Sequence, residues 1–492
     1  MKKVIFFKKL FFSCLTALIA AGASGAYALM YTQPYLVTPT PKNDMYICWI
    51  TDEKPETCFV EYGTDATYGS VERAKIYELE GLKTVDSFGK YTVPLKAYQQ
   101  IVHLKRLDPN TRYYYKVNND SEVTQGYDFK TASEPGHPVK FILLSDLQLK
   151  DQAPATVKLA GQQGADFIMY NGDLQNTPYK AGEWFSLPGT PEAENLRWFN
   201  IMQQTSDGCR LMQYVPIFPS PGNHEIDDQA LLNDKNITSR DKLSMMIYLQ
   251  LFRPLYDNMR SYTLDRRNGY VGNAGANGKH WYSTDYGDLH IVSLAIQRWF
   301  AWPAAQAPGW YLFDDIKKGS RQYNWLLYDL QKNRRKYSWV TQHWHMFNRG
   351  HETEISFTDP VPSAGNPAVM TYPEDKNYLQ RDLRPLFEQY GVNGVSFGHS
   401  HVYERYLVND VNYIEAGSIG NTYRADTDPP CSVQDGGTYC PVADDCRFRS
   451  FMLVSIDGKD GMTAQGIQAS LEANGIGFVG RVFDSFTVAP AH

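Results

Sequence analysis

Five apolar runs, each followed at once by oxygen- or nitrogen-bearing side chains, constrain this chain more than any other feature. "VKFILLSD" ends at Asp146, with Gln148 just beyond, and "GADFIMYNGD" ends at Gly172–Asp173, with Asn176 beyond. "QYVPIFPSPGNHE" carries Asn223 and His224, "SWVTQHWH" carries His343, and "GVSFGHSH" carries His399 and His401. A run that is apolar throughout, rather than alternating, predicts a strand buried on both faces. With a segment of helical length after the first run, the pattern predicts an α/β fold whose sheet is covered on both sides. In open α/β folds the active site sits at the carboxyl ends of the strands, where these polar residues fall.

Each residue has a structural alternative. Asp146 can cap a helix, Gly172–Asp173 and Gly222–Asn223 can be turns, and His343 can be a satisfied core histidine. Packing gives no reason for five strand ends to share this character. Carboxylate, amide and imidazole donors together suit a pair of divalent or trivalent ions rather than a thiolate-seeking one. Two histidines at i and i+2 on one turn can serve two ions, one each.

The rest of the chain frames that reading. At 492 residues it is too long for one ordinary domain. Lys2, Lys3, Lys8 and Lys9 precede "LFFSCLTALIAA", and "AYA" ends at Ala28. That order predicts a signal peptide over residues 1–28. Its apolar core is short for a membrane span; an uncleaved anchor and a lipoprotein through Cys14 are the rival readings. The expectation is a secreted or periplasmic protein with no transmembrane anchor after cleavage. A net charge of −6 with scattered basic residues argues against a nucleic-acid polymer as partner. Beyond Cys14, the six cysteines Cys48, Cys58, Cys209, Cys431, Cys440 and Cys446 are an even count, which in an exported chain predicts structural disulfides of unread pairing.

Residues 29–134 read as an all-β domain. "MYICWIT" and "CFVEYG" are strands split by the turn segment "DEKPET". Leu107, Pro109, Thr111 and Tyr113 resemble the tyrosine corner of fibronectin type III sandwiches, with Trp49 as core tryptophan. "TASEPGHP" reads as the linker to residues 135–492, in which 178–215 and 226–280 look like long insertions.

The series Asp-x-Gln, Gly-Asp-x-x-Asn, Gly-Asn-His-Glu, Val-x-x-His and Gly-His-x-His is similar to that of the calcineurin-like metallophosphoesterases, and its layout resembles their purple acid phosphatase branch. "GNHE" at 222–225 and "GHSHVYER" at 398–405 carry the likeness most sharply. The resemblance implies a sandwich of two mixed sheets flanked by helices, behind a fibronectin III-like domain. It implies two metal ions bridged by Asp173. Asp146 and His401, with Gln148 in addition, would complete one site; Asn223, His343 and His399 would hold the other. His224 would be the acid beside the leaving group, His351 a substrate contact, and Tyr403, Glu404 and Arg405 support for the histidine turn.

The activity implied is hydrolysis of a small phosphorylated substrate by a metal-activated hydroxide, as an exported phosphomonoesterase. A diesterase or nucleotidase on the same site, and a surface binding protein with a vestigial site, are the alternatives. Asn176 stands where the purple enzymes carry a tyrosine. A neutral amide there favours two divalent ions, manganese, zinc or ferrous iron, and a colourless protein.

Overall fold

The computed structural model describes residues 28–85, 91–120, 122–151, 153–187, 196–226, 245–256, 280–296, 298–300, 310–312, 316–347, 361–363, 366–371, 377–417, 419–420, 443–445, 448–471 and 477–491. Residues 1–27 of the expected leader, His351, Cys431, Cys440 and Cys446 lie outside the described residues. Among the described residues no helix is long and apolar enough to cross a membrane.

The N-terminal domain is two facing sheets. One orders Tyr35–Val37, Met45–Thr51, Tyr98–Leu104 and Lys75–Glu78; the other orders Glu122–Val123, Arg112–Asn119, Cys58–Gly63 and Ser70–Arg73, with Tyr127–Lys130 also on Arg112–Asn119. Trp49 is fully buried between them, and its indole donates to Asn119 Oδ1 at 3.1 Å. Tyr113 Oη accepts from the Asp108 amide at 3.0 Å, the corner bond expected from its spacing.

One of these sheets is buried on both faces. Along Met45–Thr51, Ile47 and Trp49 point into the sandwich, while Cys48 and Ile50 join the core of the second domain. Polar bonds close the same junction. Tyr35 Oη and Gln99 Nε2 both donate to the Leu251 carbonyl, at 2.9 and 3.0 Å, and Tyr115 Oη donates to that of Gln213 at 2.7 Å. This arrangement corrects the expectation of disulfides for three cysteines. Cys48, Cys58 and Cys209 are buried free thiols. Cys48 faces the second domain and Cys58 the sandwich interior, so the backbone of a sheet separates the two.

The second domain stacks two mixed sheets. The first orders Ile217–Pro219, Phe167–Tyr170, Val139–Leu144, Ser450–Ile456, Met462–Gln468 and Val482–Val488; its first three strands are parallel. The second orders Tyr282–Tyr286, Leu289–Ser293, Tyr337–Thr341, Gly394–Phe397, Val411–Ala416, Tyr403–Val408 and Ala443–Asp445, with four parallel strands at its centre. Between the sheets Phe141 stacks on Phe167 at 4.9 Å and meets the edge of Trp339 at 5.6 Å. Outside the second sheet lies Arg321–Lys332, an amphipathic helix started by Ser320, whose hydroxyl accepts from the Tyr323 amide. Among the described residues helices are few, and those of the insertion at 178–215 are short: Ala181–Trp184, Trp198–Met202 and the turn Ser206–Gly208.

This topology sets the position of the site. Three parallel strands of one sheet and two of the other end on the same side of the domain. Asn171 pins those ends together across the sheets: its Oδ1 accepts from Thr341 Oγ1 at 2.6 Å and Ser396 Oγ at 3.0 Å.

Candidate metal centre

Leaving a strand abruptly requires an unusual backbone. Asp146, Gln148, Asp173, His399 and His401 all adopt left-handed conformations, with φ between 41° and 83°. For non-glycine residues this costs on the order of 1–3 kcal/mol each and persists where surrounding contacts enforce it. The loops also approach one another too closely for side chains at two glycines. A Cβ on Gly222 would lie 2.2 Å from Asp173 Oδ1, and one on Gly398 would lie 2.4 Å from Asp146 Oδ2.

The donors converge. Asp173, His343 and His399 offer ligand atoms within 4.8 Å of one another, and so do Asp146, Asp173 and His401. Asp173 belongs to both groups. Asn223 Oδ1 faces His343 Nε2 at 3.0 Å and His399 Nδ1 at 2.9 Å. His343 Nε2 is also 3.3 Å from Asp173 Oδ1, and His401 Nε2 is 3.4 Å from Asp146 Oδ1. Gln148 points the amide nitrogen at Asp173 Oδ2, 3.1 Å away. Asp173, His343, Asp146 and His401 are buried. This mixed donor set, shared about one carboxylate, fits two borderline-hard ions.

Electrostatics follow the same focus. Burial opposes charge on both Asp173 and His343, but their mutual attraction wins: the carboxyl is held far below its usual range, and the imidazole is pushed up to about 10. His224 stands at the mouth, 33% exposed, with Nε2 3.9 Å from Asp173 Oδ2. Burial pulls its pKa down, yet Asp173 and the Asn176 carbonyl, which meets Nδ1 at 2.7 Å, raise it overall.

Several residues here have roles that strand ends alone do not reveal. The buried Glu225 carboxylate accepts from the Gly222, Asp173 and Leu174 amides at 2.6, 2.9 and 2.9 Å, tying two ligand loops together. Burial and nearby Asp173 push its pKa up to about 7. Asn171 also fixes His343 by accepting from Nδ1 at 2.7 Å through its carbonyl. Glu415, fully buried, accepts from the Ser400 amide under the histidine turn and lies 3.8 Å from His345. Trp344 packs its ring 3.7 Å from that of His399. The "GNHE" and "YNGD" strings contain Glu225 and Asn171, but only the fold shows what their oxygens reach.

The neighbouring residues divide differently from expectation. Tyr403 and Arg405 instead bond Asp484, which accepts from Tyr403 Oη at 2.8 Å and from Arg405 Nε at 2.7 Å. The Asn176 side chain donates to the Gln148 carbonyl at 3.0 Å. Tyr179 is buried against Lys83, whose amine lies over its ring.

Two stacked mixed sheets with paired carboxylate–imidazole groups at their carboxyl ends define a metallophosphoesterase. A family profile described as calcineurin-like phosphoesterase matches residues 139–403, and one described as the purple acid phosphatase N-terminal domain matches residues 31–131. The chain belongs to the calcineurin-like phosphoesterase family, in its purple acid phosphatase-like branch, and is a metal-dependent phosphoesterase. The family implies a dinuclear metal centre. Among curated relatives it is 25% identical over 435 residues to purple acid phosphatase 23 of Arabidopsis thaliana, covering 80% of this chain and 79% of that one. It is 24% identical over 401 residues to an acid phosphatase of Aspergillus ficuum, covering 66% and 63%. In fold it is similar to purple acid phosphatase PPD1 from yellow lupin (Lupinus luteus) seeds, with TM-score 0.59, 17% identity and coverage of 93% and 74%. It is also similar to PhoD, with TM-score 0.58, 13% identity and coverage of 96% and 92%.

Proposed function

We propose that this chain is an exported phosphatase that hydrolyses phosphate monoesters at a dinuclear centre. One observation carries the reading: Asp173 is shared by two ligand groups assembled from four strand ends, and Asn223, from a fifth, meets His343 and His399. In this reading Asp173 would be shared by the two ions, Asp146, His401 and Gln148 would hold one, and Asn223, His343 and His399 would hold the other. When bound, the ions would lower the pKa of a water and offset charge developing on the phosphoryl oxygens.

The chain's own groups do the rest. The Asn176 carbonyl fixes the His224 ring by its Nδ1, which leaves Nε2 facing Asp173. There Nε2–H can give its proton to the departing oxygen. Residues 1–28 would direct export, with 29–134 and 135–492 as the two mature domains. His351 would be an additional substrate contact.

A panel of phosphate monoesters against bis-aryl phosphodiesters tests the proposal. Monoesters should turn over faster; a higher kcat/KM for the diesters reassigns the site to diester chemistry. The ions would be divalent, manganese, zinc or ferrous iron, because Asn176 offers no phenolate to stabilise a ferric ion. Protein loaded with iron in air should stay colourless. A green-to-yellow absorption band that disappears in Tyr179→Phe overturns the metal assignment.

A further inference from the structure

The sandwich carries a second charged site, far in sequence from the metal ligands. A cavity of about 400 Å³ opens where its two sheets meet the second domain. Five cations line it: Arg73, Lys75, Lys105, Arg106 and Arg253. Among the described residues none of the five has an acidic partner within ion-pair distance, and Glu72 is the one acid in the lining. The chain as a whole is net negative, so this concentration of positive charge runs against its background. Glu72 in the lining and Glu80 near Arg253 offset only part of this charge; the remaining like charges repel, and a bound anion removes that cost.

Two details distinguish the cavity from a solvated basic face. First, it has an aromatic wall. Tyr46 and Tyr62 line it, and Tyr46 is held flat by His103, stacked at 3.8 Å and itself anchored to Asp44. Second, Arg253 comes from the other domain and is held over the Tyr77 ring at 4.4 Å. Its Nε is buried and meets no acceptor, which leaves a costly unsatisfied donor unless a ligand supplies one. The volume matches a small molecule rather than a peptide or a polymer.

We propose that this cavity binds a compact polyanion: a ring-bearing scaffold with two or more phosphate or sulfate groups, its oxyanions on the five cations and its ring against Tyr46. Nothing in this proposal depends on the metal centre. The test is calorimetric titration of the full mature holoprotein with myo-inositol hexasulfate, which has no phosphoester to hydrolyse. Binding at one site per chain is expected, weakening steeply between 50 and 200 mM salt as counter-ions compete (probe conditions on the order of the range where such screening acts). Arg73→Ala with Arg106→Ala, both exposed, should weaken it by about tenfold or more, as expected for lost charge-assisted bonds. Tyr46→Ala should weaken the ring-bearing probe but not linear tripolyphosphate, which separates a sugar or cyclitol polyanion from a free polyphosphate chain. Thermal melts of each variant check that it is folded, with Arg106→Glu as a second, charge-reversing variant. Absence of binding at millimolar probe in low salt overturns the proposal, as does affinity unchanged in the double variant and in Arg106→Glu.

Discussion

Two buried histidines in the second domain sit against carboxylates, and they serve different ends. His290 lies between Asp285 and Asp329, with one ring nitrogen 2.7 Å from the first and the other 2.8 Å from the second. Arg335 completes the cluster on Asp285 at 3.0 Å. Burial works against the imidazolium, but both carboxylates outweigh it and push its pKa up to about 9. His343 has a similarly raised pKa, yet only one of its nitrogens is spent on a single partner, the Asn171 carbonyl. The other faces Asn223 and Asp173 together, and His399 aims at the same Asn223 oxygen. Residue type does not separate the two clusters. What separates them is convergence: at His290 each polar atom is matched one to one, whereas at His343 several acceptors and imidazoles crowd one point that a cation would fill.

If that difference is functional, damage should fall very unevenly. The largest effect is expected for Asp173→Ala, which removes the group common to both ligand sets and should abolish hydrolysis and strip metal from a folded protein. Elemental analysis with activity assays checks it; two retained metals and normal turnover would break the comparison. Next, His224→Ala should keep its metals and lose on the order of 10²–10⁴-fold in kcat. The loss should shrink for leaving groups that need no proton, whereas a collapse in metal content would make His224 a ligand.

Glu225→Gln should follow, because one amide group cannot accept from all three backbone N–H groups. A fall of roughly 10–100-fold in metal affinity is expected, measured by competition with a chelator. On the other side of the comparison, His290→Asn should leave kcat of the folded protein within about twofold of the parent and change only stability. A histidine whose folded pKa is raised stabilises fully below its unfolded value near 6.5 and loses that contribution as pH rises through about 9. The parent should therefore lose up to about 3 kcal/mol over that window, and the variant should show a correspondingly shallower pH slope in Tm there. An equal pH slope in both proteins would show that His290 is not the titrating group.

The strand ends were legible because burial on both faces erases alternation, and each apolar run stops where its side chains must face the site. The structure gathers Asp146, Gln148, Asp173, Asn223, His224, His343, His399 and His401 at one place. What the sequence hid depended on contacts between distant segments. Glu225 and Asn171 act through oxygens whose partners lie in other loops or the other sheet. Cysteine parity suggested bridges, but Cys48 and Cys58 face away from each other across a strand, a fact that counting cannot supply. Tyr403 and Arg405 sit next to the histidine turn in sequence, but their bonding partner, Asp484, lies on a strand near the C-terminus.

Asn171 bonds one sheet to the other directly beneath the candidate ligands, and this has a kinetic consequence. The ligand set spans from Asp146 to His401, and neither sheet alone holds either group of three. Contacts of such long sequence separation form late, since loop closure must precede them. Metal cannot then nucleate this fold in the way it nucleates a zinc finger. The ions would load only after the sheets have docked, so metal uptake during refolding should report the final step of assembly rather than the first.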